Sequence, residues 1–269
     1  MKALIDSDIF QYEFGSATDS EYRPIPWPFV QARVQGRIDH IVEATGADEY
    51  QLYITSDDKS NFRYQLATIR PYKGNRKQEK PHWYNHIRNF LVDQRGAIEV
   101  FGMEADDAIS IAQWGDLIKP VKLLDGSEYA KKDMIQGYGK EYDYLETIIC
   151  SRDKDLKMVP GWHYEWGISG RPDKGPYFIT ELEGQANFYF QLLSGDTVDN
   201  IPGLFGVGSS SNLLRRVHDC DDSYSMYTIV QEQYEKRFGS YWKQFLTENA
   251  RLLHMLRTED DVWEIPENA

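Results

Sequence analysis

The sequence predicts an α/β fold, a mainly parallel sheet flanked by helices, followed by a helical carboxyl-terminal third. Three observations carry this. Short apolar runs of strand character alternate with apolar stripes at helical spacing up to residue 150. Acidic residues stand where those strand-like runs end. After about residue 180 strand-like runs become scarce and helical periodicity takes over. The chain has 269 residues, 41% hydrophobic and 27% charged, an ordinary globular composition that can bury a core without disulfides or metal staples.

Residues 2–5 read as a short buried strand ending at Asp6. Residues 23–28 form a proline-punctuated loop. Val30, Val34, Ile38, Ile41 and Val42 make one apolar stripe, so residues 29–44 are predicted helical. Residues 49–55 read as a second strand, stopping before Asp57 and Asp58. Helical character returns over about 81–92, a strand over 97–100, a helix over 103–114 and a strand over 144–150. Residues 119–143, with Lys131, Lys132 and Lys140, form a long connection without a legible motif. Helices are expected over 185–194, 209–217, 223–237 and 240–256.

Composition narrows the function classes. No apolar run approaches the ~18–20 residues that span a bilayer, and Asp6 interrupts the amino terminus before a secretory apolar segment forms. Cys150 and Cys220 make no disulfide framework and no CxxC pair, so a reducing, cytoplasmic setting without membrane partners is expected. Net charge is −13, yet it is uneven. Between Arg63 and Arg95, eight basic and two acidic residues give +6, which leaves −19 for the remainder. Such a stretch steers a polyanion, or is a solvated helix face.

The carboxylates are the stronger signal. Asp6, Asp57 or Asp58, the set Glu104, Asp106 and Asp107, and the pair Asp153 and Asp155 each follow a strand. In a parallel α/β sheet the carboxyl ends of strands border the ligand crevice. Singly, each is equally a helix cap or a solvated turn. Together they repel unless a cation lies between them. An all-oxygen set without a Cys/His cluster points to Mg²⁺ or Mn²⁺ rather than zinc. His82, His86 and His163 are scattered and read as structural or surface residues. Residues 195–208, GDTVDNIPGLFGVG, bring Gly203, Gly206 and Gly208 to a turn before Ser209, Ser210 and Ser211 open a helix. That arrangement holds a phosphate through backbone amides, or is a plain helix–turn–helix connection.

In order, LIDSD (4–8), NFR (61–63), YKGNRK (72–77), MEADDA (103–108), SRDKDL (151–156) and GDTVDNIPGLFGVG (195–208) resemble the motifs of the 5′-nuclease family, over roughly residues 1–217. That family includes the 5′→3′ exonuclease domain of bacterial DNA polymerase I, bacteriophage 5′→3′ exonucleases and flap endonucleases; the stand-alone length looks most like the phage enzymes. The resemblance implies a PIN-like core over 1–180 with a basic helical arch at about 63–95, and a helical DNA-binding subdomain with a helix–three-turn–helix motif over 181–269. It implies phosphodiester hydrolysis with two divalent ions held by Asp6, Asp57, Glu104, Asp106, Asp107, Asp153, Asp155, Asp196 and Asp199. It implies Lys73 and Arg76 as catalytic cations. Arg63, Tyr72, Lys77, Gly203, Gly206, Gly208 and Ser209 would touch DNA, with K⁺ bound at the glycine turn. The expected partners are DNA with a 5′ end, nick or flap, and RNA–DNA hybrid. The chain departs from the family pattern at Asp8, where a small or amide residue is commoner, and at Ser210 and Ser211, where lysine and threonine are usual. A PIN-type ribonuclease and a non-catalytic DNA-binding module are the alternatives. The long 195–208 motif speaks against the first and the retained acids against the second.

Overall fold

The structure is a computed structural model; it describes residues 1–266 apart from 77–78, 124, 135–143, 169 and 209. The chain runs β1 (Lys2–Asp6), α1 (Asp8–Glu13), α2 (Trp27–Thr45), β2 (Glu49–Thr55), α3 (Arg63–Leu66), α4 (Tyr84–Asn89), β3 (Ile98–Val100) and α5 (Ala105–Leu117). A small hairpin, β4 (Pro120–Lys122) and β5 (Glu128–Ala130), and α6 (Lys131–Met134) follow. Then come β6 (Thr147–Cys150), β7 (Gly161–Glu165), β8 (Lys174–Ile179) and α7 (Glu181–Ser194). A minimal pair, β9 (Gly195–Asp196) and β10 (Ile201–Pro202), precedes α8 (Asn212–His218), α9 (Ser223–Phe238) and α10 (Trp242–Leu253).

The six-stranded sheet has the order β3-β2-β1-β6-β7-β8. Neighbours are parallel except the last pair, β7 and β8. Side chains alternate along each strand, so the central strands feed two cores. Ala3, Ile5, Leu52, Ile54, Ile148 and Cys150 face one core, closed by the α2 stripe Val30, Val34, Ile38 and Ile41. Leu4, Tyr53 and Ile149 face the other, closed by Ile109 of α5 and Leu192 of α7. Gly46, at φ 62, ends α2 in the left-handed conformation that a Cβ disfavours. The second core continues without a break into α9 and α10 through Val230, Tyr234, Leu246 and Leu253. Strands give way to helices at Thr180, which caps α7 in a reciprocal capping box with Glu183.

Two differences from the sequence reading have clear causes. The strands β7 and β8 have no apolar run to announce them, because β8 is a half-exposed edge strand and β7 is mixed Gly-Trp-His-Tyr-Glu. Within 63–95, the described residues are helical only at Arg63–Leu66, Tyr84–Asn89 and a π-helical turn at Phe90–Gln94. The last two pieces bury Ile87, Phe90 and Leu91 in the first core. Among the described residues, no helix is long and apolar enough to cross a membrane.

Candidate metal centre

Parallel strands put their carboxyl ends on one edge, and the acidic residues collect there. Asp6 ends β1; Glu104 is the cap of α5 after β3; Asp153 and Asp155 follow β6; Asp196 and Asp199 lie in and beside the β9–β10 pair. One crevice is lined by Lys73, Arg76, Glu104, Asp106, Asp153, Asp155, Asp196 and Asp199. An adjoining one shares Lys73, Arg76, Glu104, Asp106 and Asp153 and adds Asp6, Asp8 and Asp57.

The carboxylates of the first crevice other than Asp106, and Asp6 beside them, are held by neighbouring groups. Ser151 donates to Asp6 Oδ2 at 2.8 Å and accepts the Asp153 amide at 2.9 Å. Asp153 Oδ1 in turn accepts the Asp155 amide at 2.9 Å. Gln191 of α7 donates to Asp155 Oδ1 at 2.7 Å. Lys154 Nζ bridges Asp155 Oδ1 at 2.7 Å and Asp196 Oδ2 at 2.6 Å. On the opposite wall Lys73 bonds Glu104, and Arg76 bonds Asp199 Oδ1 at 2.7 Å. The Tyr72 hydroxyl lies 2.7 Å from Asp199 Oδ2 and 2.9 Å from Glu104 Oε2, sharing its proton between them.

Charge is unevenly compensated across this centre. Burial, with Asp8 and Asp153 nearby, pushes the Asp6 carboxyl up to about 8. Burial and the negative charge of Asp155 push Asp153 up to about 6. Asp106 is raised well above the usual carboxylate range by burial and by Asp6, Asp153, Glu104 and Asp8. Asp199 is raised too, since burial outweighs the help of Lys73. Glu104 goes the other way, because Lys73 and Arg63 overcome the effect of burial. Asp196 is lowered likewise, by Lys154.

Asp106 Oδ1 is buried with no hydrogen-bond partner. An unpartnered buried carboxylate oxygen beside four other acids is costly unless a cation takes it. The donors are all oxygen, which fits Mg²⁺ or Mn²⁺. Among the described residues no three His, Cys, Asp or Glu side chains close on a common point as a complete ligand set. That is compatible with Mg²⁺, which keeps several waters and takes one or two carboxylates plus substrate phosphates.

Several expected site residues have other partners. Asp107 is fully buried and spends its carboxylate on a bidentate pair with Arg63, at 2.5 and 2.8 Å, while Arg63, though only 1% exposed, is among the residues lining the first crevice. Arg63 also donates to the carbonyls of Leu252 and His254. Tyr72 is buried at 4% exposure, with its hydroxyl on Asp199 and Glu104. Asp57 stands at the outer rim, paired with Lys80 at 2.8 Å, while Asp58 closes its own turn by accepting the Ser60 amide. Gly203 is needed inside the protein, since a Cβ there would sit 2.1 Å from the Ser194 carbonyl oxygen. Gly206, at φ +84, and Gly208 face open space. Lys77 and Ser209 lie outside the described residues.

Other residues at the site were legible only in part, Asp8 as a departure from the family pattern and the rest not at all. Asp8 accepts the Thr55 amide at 3.0 Å and its hydroxyl at 2.5 Å, and Thr55 Oγ1 accepts the Ala105 amide at 2.9 Å. This links the ends of β1 and β2 to the start of α5. Ser151 and Lys154 lie within SRDKDL, where neighbouring acids were the only signal; Gln191 gives none, because its helix lies far away in sequence.

No family model matches the chain. DNA polymerase I of Borreliella burgdorferi is 27% identical over 169 residues, which are 55% of this chain and 18% of that protein. The chain thus spans less than a fifth of that relative's length. The phage T5 D15 protein co-crystallized with metal ions superposes with a TM-score of 0.55 at 14% identity, covering 94% of this chain and 88% of that one. A T5 D15 flap endonuclease complex with DNA and metal ions superposes at 0.51 and 12% identity, covering 94% and 98%. In fold and in the order of its motifs, the chain resembles the 5′-nucleases, with the architecture of the T5 D15 protein.

Proposed function

We propose that the chain is a metal-dependent 5′→3′ exonuclease and structure-specific flap endonuclease that hydrolyses phosphodiester bonds in DNA and in RNA–DNA hybrid. The observation that carries this reading is the convergence of Asp6, Glu104, Asp106, Asp153, Asp155, Asp196 and Asp199 with Lys73 and Arg76 at the carboxyl edge of a parallel sheet. Those carboxylates, with Asp57 at the rim, would hold two Mg²⁺ or Mn²⁺ ions. Bound there, such ions lower the pKa of water and neutralise charge developing on the attacked phosphate.

The chain's own residues do the rest. Lys73 and Arg76 supply positive charge beside the phosphate as its negative charge builds. Their bonds to Glu104 and Asp199 keep them extended toward the crevice. Gly206 and Gly208, with their open surroundings, leave backbone free to approach a duplex phosphate, and K⁺ at this turn would add to the attraction. A cytoplasmic setting, that of the host if the chain is phage-encoded, suits this role.

The test is cleavage of 5′- and 3′-labelled duplex, nicked, flap and RNA–DNA substrates with Mg²⁺, read by product length. Release of short products from the 5′ end supports the reading. Cleavage confined to single-stranded RNA would replace it with a ribonuclease, and no cleavage of any substrate with Mg²⁺ or Mn²⁺ would end it.

A further inference from the structure

The loop that carries Lys73 and Arg76 has no helix or strand of its own among the described residues between Leu66 and Tyr84. Its conformation is demanding, with Lys73 itself at φ 54, where a side chain is disfavoured. Something outside the loop must therefore hold it. At the tip, the 196–200 turn does so: the Lys73 amide donates to the Asp199 carbonyl at 3.0 Å, Asn75 to the Thr197 carbonyl at 2.6 Å and Asn200 to the Pro71 carbonyl at 2.9 Å. At the base, the holder is a single side chain from α10. Glu248 Oε1 accepts the amides of Thr68 and Ile69, each at 2.7 Å, and Oε2 accepts the Thr68 hydroxyl.

Glu248 is 8% exposed and lies about 180 residues from its partners in sequence. No Lys or Arg pairs with it at salt-bridge distance among the described residues. It is spent on backbone amides that no other group in the loop satisfies, which is how a carboxylate fixes irregular chain. We propose that Glu248 is a positioning residue for the proposed reaction: it sets the base of the 67–76 loop so that Lys73 and Arg76 reach the crevice. The inference rests on the nuclease reading above. It adds that the helical carboxyl-terminal part governs the cationic wall of the centre as well as contacting substrate.

The chemistry distinguishes substitutions. In Glu248→Ala both loop amides lose their acceptor and the loop keeps only its tip attachment. In Glu248→Gln the amide oxygen still accepts both N–H groups, and the Thr68 hydroxyl can rotate to accept from the new amide. Misplacing a reacting group by about 1 Å costs on the order of 10²-fold in rate. Glu248→Ala is therefore expected to lower single-turnover cleavage by about 10- to 100-fold while substrate Kd changes less than about threefold, and Glu248→Gln to stay within about threefold of wild type. In a Lys73→Ala, Arg76→Ala background, Glu248→Ala should add less than about a twofold further loss, because both groups it positions are gone. Hydrogen exchange gives a readout that needs no activity: the Thr68, Ile69 and Lys73 amides should exchange faster in Glu248→Ala, with the core of α10 unchanged.

An active wild type with Glu248→Ala cleaving at the wild-type rate overturns the positioning role alone. So does an equal fractional loss in the Lys73→Ala, Arg76→Ala background, which marks a global effect. If Glu248→Ala does not fold, Thr68→Val removes only the hydroxyl end of the clamp. A rate loss in Thr68→Val that vanishes beside Lys73→Ala with Arg76→Ala supports the inference, and a loss that persists overturns it. A wild type that cleaves nothing removes the nuclease reading itself, and unaltered exchange in the loop of Glu248→Ala then removes the clamp as well.

Discussion

Arg63→Ala is the sharpest test of how the basic stretch is used. Two roles compete for this residue: a cation on DNA, as its place in NFR implies, or a buried clamp. The guanidinium is 1% exposed and Asp107 is 0% exposed. It makes four hydrogen bonds, to Asp107 at 2.5 and 2.8 Å, to the Leu252 carbonyl at 2.8 Å and to the His254 carbonyl at 2.9 Å. It also lies 4.7 Å from the Phe62 ring. Breaking a buried pair by removing one partner costs about 3–5 kcal/mol, because the other charge is left uncompensated. Unfolding entropy of about 2.1 cal/mol/K per residue over 269 residues makes each ~0.6 kcal/mol worth about 1 °C, so Tm should fall by about 5–9 °C. Replacing both partners, Arg63→Met with Asp107→Leu, should recover part of the loss, since a hydrophobic pair needs no compensation. Differential scanning calorimetry and salt-titrated DNA binding decide between the roles. An unchanged Tm together with a salt slope shallower by about 0.9 would show a phosphate contact and refute the clamp.

Other expectations follow from the same geometry. Asp106→Asn should raise the Tm measured in EDTA by about 0.5–2 kcal/mol equivalent while abolishing cleavage, because it removes a crowded, unpartnered buried charge from the centre; a lower Tm would mean the carboxylate is compensated within the fold. Gly203→Ala should destabilise by about 1–3 kcal/mol or more through backbone overlap with Ser194, whereas Gly208→Ala should leave Tm unchanged; equal tolerance of both would contradict the tight packing of this turn. His163 supplies the pH dependence. Burial drops its pKa to about 4 from 6.5, against a hydrogen bond to the Val159 carbonyl. The folded pKa lies below the unfolded one, so its contribution is full above pH 6.5 and is lost as pH falls toward 4, by ~3 kcal/mol in all. Tm profiles of wild type and His163→Gln should therefore converge across that window, and parallel profiles would refute the assignment.

The electrostatics of the centre make its stability and its chemistry oppose each other. Asp6, Asp106 and Asp153 are each pushed up by burial and by neighbouring carboxylates, whereas Glu104 and Asp196 are held down by Lys73 and Lys154. Glu104 and Asp196, each beside its own lysine, need no help to stay ionised. The wall around Asp6, Asp106 and Asp153 does, and that is where a cation has most to gain.

Much was legible in the sequence because it is local. The stripe Val30, Val34, Ile38 and Ile41 specifies α2, and the alternation of strands with helices specifies a parallel sheet. A parallel sheet puts its strand ends on one edge, so Asp6, Glu104 and Asp153 had to meet once the strands were placed. Tertiary structure decided what each charge does. Asp107 carries the same chemistry as Asp106, yet the first is sealed against Arg63 and the second lines a crevice. Gly203 and Gly208 look alike in the motif, yet only the first is pressed against Ser194. Glu248, Gln191 and Ser151 act through partners far along the chain. The physical reason is range: periodicity and capping act within a few residues, whereas burial and charge compensation depend on which groups the packed fold brings within a few ångströms, and no local pattern records that.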